Sequence, residues 1–196
     1  NLVRYRGYEV ALVGDISKAY NSIKTGQVER HTRRYWFRFS QEEPWKVYGA
    51  NCVMFGDKPA AGLMTIAVER ASDSCSEVMQ LNIAPEELVL SDAKKLKADS
   101  YVDDLHSGGS KSDVARMMGT KDPLTHQFTG TIPRFLNNVG LTLKTLVTSG
   151  SRDEEAITKL SGTALGYKWE PTSDEMGVKL KFNPSKKKKG IKSKPD

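Results

Sequence analysis

Cysteine is nearly missing from this chain of 196 residues: Cys52 and Cys75 stand alone, with no close-spaced pair. That argues against a disulfide scaffold or a zinc site and points to a reducing, intracellular setting. No apolar run approaches the roughly 18 residues needed to cross a bilayer, so no membrane partner is expected. The first residue is Asn1 in place of Met, and no signal-type apolar stretch follows it. The chain therefore reads as a piece of something longer. A general basic charge is also lacking. Lys and Arg number 30 against 24 Asp and Glu, giving +6. Lys186–Asp196 holds six Lys and one Asp, which leaves only +1 for the other 185 residues. The high pI belongs to a tail and not to a basic fold. Hydrophobic residues make up 38% and charged residues 28%, polar for a globular chain but well short of a disordered one. The length suits one domain with a sizeable core.

What is present reads as alternating strands and helices. Glu9–Val13 is a brief Val-rich run ending in Gly14 and Asp15, a buried strand. Ser17 to Ile23 is a turn of helix stopped by Gly26. Arg33, Tyr35, Phe37 and Phe39 alternate with Arg34, Trp36 and Arg38, a strand whose hairpin partner is Trp45–Tyr48. Leu63, Ala67, Ala71, Cys75 and Met79 recur every four residues and predict a helix packed closely on a sheet. Pro85 and the charged stretch Ser91 to Lys97 read as a loop. Ala98 to Val102, Asp103-Asp104 and Leu105 to Ser107 read as a hairpin with an acidic tip. Helices are expected over Ser112 to Met118 and His126 to Val139, then a strand over Leu141 to Val147. Tyr167 to Trp169 with Val178, Leu180 and Phe182 suggest a last hairpin, and the Lys-rich end has nothing to bury. The expected class is α+β, a split-βαβ (ferredoxin-like) antiparallel sheet with helices packed on one face.

Asp15 stands where a buried strand emerges, and Asp103 and Asp104 occupy a tight turn between strands. In a split-βαβ sheet those strands are neighbours, so all three carboxylates converge at one edge. Adjacent carboxylates repel and call for a cation. Hard oxygen donors favour Mg²⁺, with Mn²⁺ as a substitute, held by one or two carboxylates with phosphate and water completing the shell. An Asp-Asp pair in a turn has a second explanation, since Asp also caps and bends the chain.

The flanking residues carry more information. Tyr101-Val102-Asp103-Asp104 is the tetrapeptide of the reverse transcriptase active-site hairpin. Asp15 followed by Tyr20 is similar to that family's first catalytic motif, and Phe55-Gly56 to Pro59 resembles its second. Val139 to Lys144 and Leu165 to Trp169 resemble the later palm motifs and the primer grip. Gly14-Asp15-Ile16-Ser17-Lys18-Ala19-Tyr20 and Leu165-Gly166-Tyr167-Lys168-Trp169 are most similar to Pao/BEL-type retrotransposon polyproteins. The motifs keep the family's order from about residue 10 to 171. The retroviral second motif has Gln before its Gly, where this chain has Phe55.

The resemblance implies an RNA-directed DNA polymerase palm over residues 1–150. A primer-grip-like hairpin over 151–184 and a Lys-rich tail over 185–196 would follow it. Asp15, Asp103 and Asp104 are then the ligands of two Mg²⁺ ions, and the incoming dNTP lies against Lys18, Ala19 and Tyr20. Tyr20 is a steric gate against a ribose 2′-hydroxyl or, on spacing alone, a core aromatic. Lys144 is a general acid for departing pyrophosphate or a solvated strand residue. Gly56, Pro59, Gly166, Tyr167 and Trp169 fall where an RNA or DNA template–primer is contacted. Gly56 has the alternative of a plain turn residue. Partners are the template–primer, dNTPs and the remainder of a retroelement polyprotein. The location is intracellular and cytoplasmic, or nuclear through Lys186–Lys189. Without fingers the chain reads as a fragment that is inactive alone. The competing expectation is a catalytically silent remnant acting as a nucleic-acid-binding or interaction module. A nucleotide cyclase also uses paired Asp and two metals, but leaves Tyr20 and Leu165–Trp169 unexplained.

Overall fold

A computed structural model describes residues 2–152, 157, 163–164 and 167–178, and a four-stranded antiparallel sheet lies at its centre. In chain order the first elements are α1 (Leu2–Arg6), β1 (Val10–Ile16), α2 (Ala19–Ser22) and α3 (Gln27–Thr32). A separate two-stranded hairpin, β2 (Arg34–Phe37) and β3 (Lys46–Gly49), precedes α4 (Ala60–Asp73), α5 (Cys75–Met79) and α6 (Glu86–Asp99). Then come β4 (Ser100–Tyr101), β5 (Asp104–Gly109), α7 (Lys111–Met118), α8 (Thr131–Asn138) and β6 (Leu143–Thr148). Three short strands close the described chain: β7 (Thr163–Ala164), β8 (Tyr167–Glu170) and β9 (Glu175–Gly177). The central order is β4-β5-β1-β6, so β1 lies between the second strand of the β4–β5 hairpin and β6, the strand that follows the second helical crossover.

Strand alternation sorts the sheet into two faces. Leu12, Ile16, Leu105, Leu143 and Leu146 form one core with Met64, Val68, Leu96, Met117, Ile132 and Phe135 of the helices. A fully buried Leu or Phe of this kind contributes about 1.5–3 kcal/mol. On the other face Ala11, Val13 and Val147 meet Tyr5 and Trp169, whose rings pack edge to face at 5.8 Å. Gly108 is needed there for close approach: a Cβ would strike the Val10 carbonyl and lie 2.7 Å from the Tyr8 ring.

The α+β class and the antiparallel sheet agree with the expectation, but several elements differ. Ser91 to Lys97 is not a loop; it belongs to α6. The helix was hidden because two of its core-facing positions are carboxylates, Asp92 and Asp99. Asp92 is fully buried and accepts two bonds from Arg116, at 2.9 and 2.8 Å, and one from Thr131 at 2.6 Å. Asp99 accepts from Tyr8 at 2.9 Å and Ser107 at 2.7 Å and pairs with Arg4 at 3.0 Å. Hydrogen bonding satisfies both charges, which is what burial of a charge demands.

The stripe from Leu63 to Met79 is broken by Ser74 into α4 and α5, and the buried positions of α4 are Ala60, Met64, Val68, Ala71 and Ser72. A four-residue repeat drifts around a helix of 3.6 residues per turn, so Ala67, Cys75 and Met79 end only partly buried. Helix α8 starts at Thr131, five residues later than expected. The preceding loop is held by Asp122, which accepts from the Leu124 and Thr125 amides at 2.8 and 2.7 Å. Helices do not confine themselves to one face, because Tyr5 of α1 covers the other. Leu180, Phe182 and the Lys-rich end lie outside the described residues.

Candidate active site

The site is built where β1 ends. A bulge falls between Asp15 and Ile16, after which the Ile16 amide donates to the Asp103 carbonyl at 3.2 Å and the Ser17 amide to the Thr142 carbonyl at 2.8 Å. These bonds tie the end of β1 to the β4–β5 turn on one side and to the chain entering β6 on the other. In the β1–β5 register Asp15 lies directly opposite Asp104. Residues so paired hold their Cβ atoms about 4.5–5.5 Å apart, and like charges there are destabilising.

Tyr101 pairs with Asp104, so the hairpin turns through only Val102 and Asp103. Val102 has φ +58°, the left-handed region, in a position where hairpin turns favour Gly. A β-branched residue held there costs about 1–3 kcal/mol. Its side chain packs against the main core, which offsets part of that cost and anchors the tip. Asp99, just before β4, braces the base of the hairpin through Ser107 of β5.

The carboxylates respond to this crowding. Asp104, although exposed, has its carboxyl pushed up to about 6, by desolvation first and then by Asp103 and Asp15. Asp15 is raised by desolvation and by Asp103, against the opposing pull of Lys144. Lys144 Nζ lies 3.8 Å from Asp15 Oδ2, an ion pair between half-exposed groups, and among the described residues it is the one ion pair these three carboxylates make.

Asp15, Asp103 and Lys144 border a cleft of about 420 Å³ that Lys18, Ala19, Tyr20 and Phe55 also line. Lys18 takes φ +48° at the start of α2, and Ala19 is buried. Tyr20 packs its side chain on the main core, as the core-aromatic alternative has it, and also lines the cleft, 6.1 Å and edge-on to Phe55. Desolvation, Asp103 and Asp104 raise the Tyr20 hydroxyl, so it stays protonated at neutral pH. Phe55, at the rim, is 91% exposed, and the sequence carries no signal for that exposure. Gly56 beside it has φ +91° with open space where a Cβ would stand, so backbone conformation is what requires glycine. Pro59 is exposed at the start of α4.

Of the remaining expected contacts, Tyr167 and Trp169 do not join this cleft. Tyr167 is 37% exposed on β8. Trp169 is only 2% exposed and its indole N–H donates to Asp174 at 2.9 Å, so its ring is a core group and not open to a template–primer. Gly166 lies outside the described residues. Sequence reasoning missed Asp99 as the brace of the hairpin, although its spacing from Asp92 and Leu96 follows one helix face.

Among the described residues no group of three His, Cys, Asp or Glu side chains is disposed to hold a metal ion, and no helix is long and apolar enough to cross a membrane. In comparisons with known proteins, no family model and no curated sequence matches the chain.

Proposed function

We propose that the chain is the palm of an RNA-directed DNA polymerase of the retrotransposon type, adding dNTPs to a primer paired with its template. The observation that carries this reading is the register that sets Asp15 opposite Asp104, with Asp103 on a strained two-residue turn beside an open cleft. The order β4-β5-β1-β6, with helical crossovers on either side of the hairpin, supports a split-βαβ palm.

The donor chemistry fits Mg²⁺. Carboxylates that raise one another's proton affinity at an open cleft are short of positive charge, and Mg²⁺ takes one or two of them while keeping water and phosphate in its shell. Asp15, Asp103 and Asp104 are the residues that would hold it, although as they stand the three are not gathered into one ligand set. When bound, the ions supply charge stabilisation for the attacking and leaving oxygens of a phosphoryl displacement. The chain's own residues do the rest. Lys144 holds a proton at Nζ beside Asp15 for the departing pyrophosphate. The Lys18–Tyr20 turn seats the nucleotide, and the Tyr20 ring, fixed by the core, limits the room beside the sugar. The template–primer, dNTPs and the rest of a retroelement polyprotein are the partners of this reading.

Primer extension on an RNA template with Mg²⁺ and dNTPs tests it, comparing the chain with its Asp103→Asn/Asp104→Asn variant. Mg²⁺ binding is expected in the unaltered chain and not in the variant, and any extension by the unaltered chain is expected to be lost in the variant. Equal extension by both would falsify the assignment. Absence of both extension and Mg²⁺ binding in the unaltered chain replaces it with a silent remnant.

A further inference from the structure

The β2–β3 hairpin stands apart from both cores. Its register pairs Arg34 with Gly49, Tyr35 with Tyr48, Trp36 with Val47 and Phe37 with Lys46. Paired residues share a face. On one face four aromatic rings pack among themselves: Tyr35 stacks on Tyr48 at 6.1 Å, and Phe37, Phe39 and Tyr48 meet edge to face at 5.1 to 6.2 Å. That cluster is a small core of its own, and it helps hold together a two-stranded hairpin that would otherwise be marginal in water. The hairpin is rooted through the Ala50 amide, which donates to the Arg33 carbonyl at 3.0 Å, and through the Arg33–Asp57 ion pair at 3.3 Å.

The other face is different. Trp36 and Val47 form its middle, 67% and 50% exposed, and Trp45 is 56% exposed. Arg38 lies over the Trp45 ring at 4.7 Å, and Arg34 is steadied by a hydrogen bond to His31. Among the described residues neither Arg34 nor Arg38 forms an ion pair, and no carboxylate occupies a strand position on this face. Two large exposed rings interleaved with two uncompensated guanidinium groups offer stacking and phosphate pairing together, the combination that takes a single strand without reading its sequence.

We infer that the Arg34, Trp36, Arg38 and Trp45 face of this hairpin binds single-stranded nucleic acid. Bases stack on Trp36 and Trp45, and Arg34 and Arg38 pair with the backbone. This binding needs no metal and no base pairing, and it stands on the hairpin whether or not the cleft is catalytic.

The test is fluorescence anisotropy of a fluorescein-labelled oligothymidylate of about 20 nucleotides with the full chain. EDTA is present throughout, which removes the cation on which the cleft reading depends. Trp36→Ala and Trp45→Ala are each expected to weaken binding roughly tenfold. Arg34→Gln and Arg38→Gln are each expected to lower the slope of log affinity against log salt by about 0.7. Circular dichroism reports whether each variant folds. Should the Trp variants misfold, the Arg34→Gln/Arg38→Gln double variant, which leaves both rings in place, decides the matter. An unchanged salt slope in that double variant overturns the proposal. Binding that survives in all the hairpin variants but is lost on neutralising Lys186–Lys189 also overturns it, in favour of the tail. No binding by a chain that sediments as a dimer, and as a monomer after Trp36→Ala, replaces nucleic acid with a second copy as the occupant.

Discussion

Two sets of aspartates in this molecule meet opposite fates. Asp92 and Asp99 are 0% and 2% exposed, yet each is surrounded by donors: Arg116 and Thr131 for one, Arg4, Tyr8 and Ser107 for the other. Asp15, Asp103 and Asp104 are nearer to water, yet they crowd one another, and among the described residues their one ion pair is Lys144 on Asp15 at 3.8 Å. The buried set is electrostatically complete and serves the fold. The open set is incomplete, and its incompleteness is what a cationic ligand would correct. Exposure alone does not tell which carboxylate is content.

The sharpest way to break that comparison is to remove a member of the complete set. Asp92→Ala leaves the Arg116 guanidinium without its bidentate partner, and leaves Thr131 without its acceptor. Loss of one partner from a buried pair costs about 3–5 kcal/mol, so a large drop in the urea midpoint is expected. Asp113, which also receives Arg116 at 2.8 Å and is held down to about 2 chiefly by that bond, cannot make up the loss. A midpoint within experimental error of the unaltered chain refutes the structural role given to Asp92.

A second test uses His106, two residues along β5 from Asp104. Burial pulls its pKa from 6.5 down to about 4, with Asp99 opposing. The unfolded chain therefore binds the proton that the folded chain refuses between those values, and stability falls as pH drops from about 6.5 to 4. The full effect is roughly 3 kcal/mol. Asp113 contributes only below its ordinary range, so the two windows separate. Urea titrations in an Asp104→Asn background isolate the His106 slope, and a flat profile there contradicts a neutral buried imidazole.

The turn itself supplies a smaller effect. Val102→Gly relieves the left-handed backbone but gives up the side chain's packing on the core. A gain of about 1 kcal/mol is expected if strain outweighs packing, together with looser placement of Asp103 and a lower rate in primer extension. Lower stability with an unchanged rate reverses the sign assigned to that turn.

How much of this was legible beforehand follows from the same physics. The strand through Asp15 and the hairpin through Asp103 could be read because apolar runs and a two-residue turn leave local signals. Helix α6 could not, because Asp92 and Asp99 occupy core-facing positions, and their partners lie 24 and 39 residues away for Asp92 and 91 for Tyr8 on Asp99. A buried charge breaks hydrophobic periodicity unless its distant donors are known. Trp169 misled for a related reason. Its place in a motif suggested contact with a template–primer, while Tyr5, at the other end of the chain, is what encloses it. The convergence of the three site aspartates was an inference from fold class, and only the register sets Asp15 against Asp104.

The smallest prediction bears most directly on the open set. The Asp104 carboxyl is raised from 3.8 to about 6 by desolvation and by Asp103 and Asp15. Between those values the folded chain holds a proton that the unfolded chain has released, so this group's contribution favours the fold at low pH and is lost as pH rises through about 6. Asp104→Asn removes the contribution without removing the amide-sized side chain. The variant should match the unaltered chain near pH 4 and exceed it above pH 6. The group is exposed, and solvent screening limits the gain to at most about 1 kcal/mol. Mg²⁺ provides the converse: a cation seated between the carboxylates should lower the pH at which Asp104 ionises and shrink the difference between variant and unaltered chain. A difference that is the same with and without Mg²⁺ would mean that the crowding at the tip belongs to the fold, as it does at Asp92, and not to a ligand.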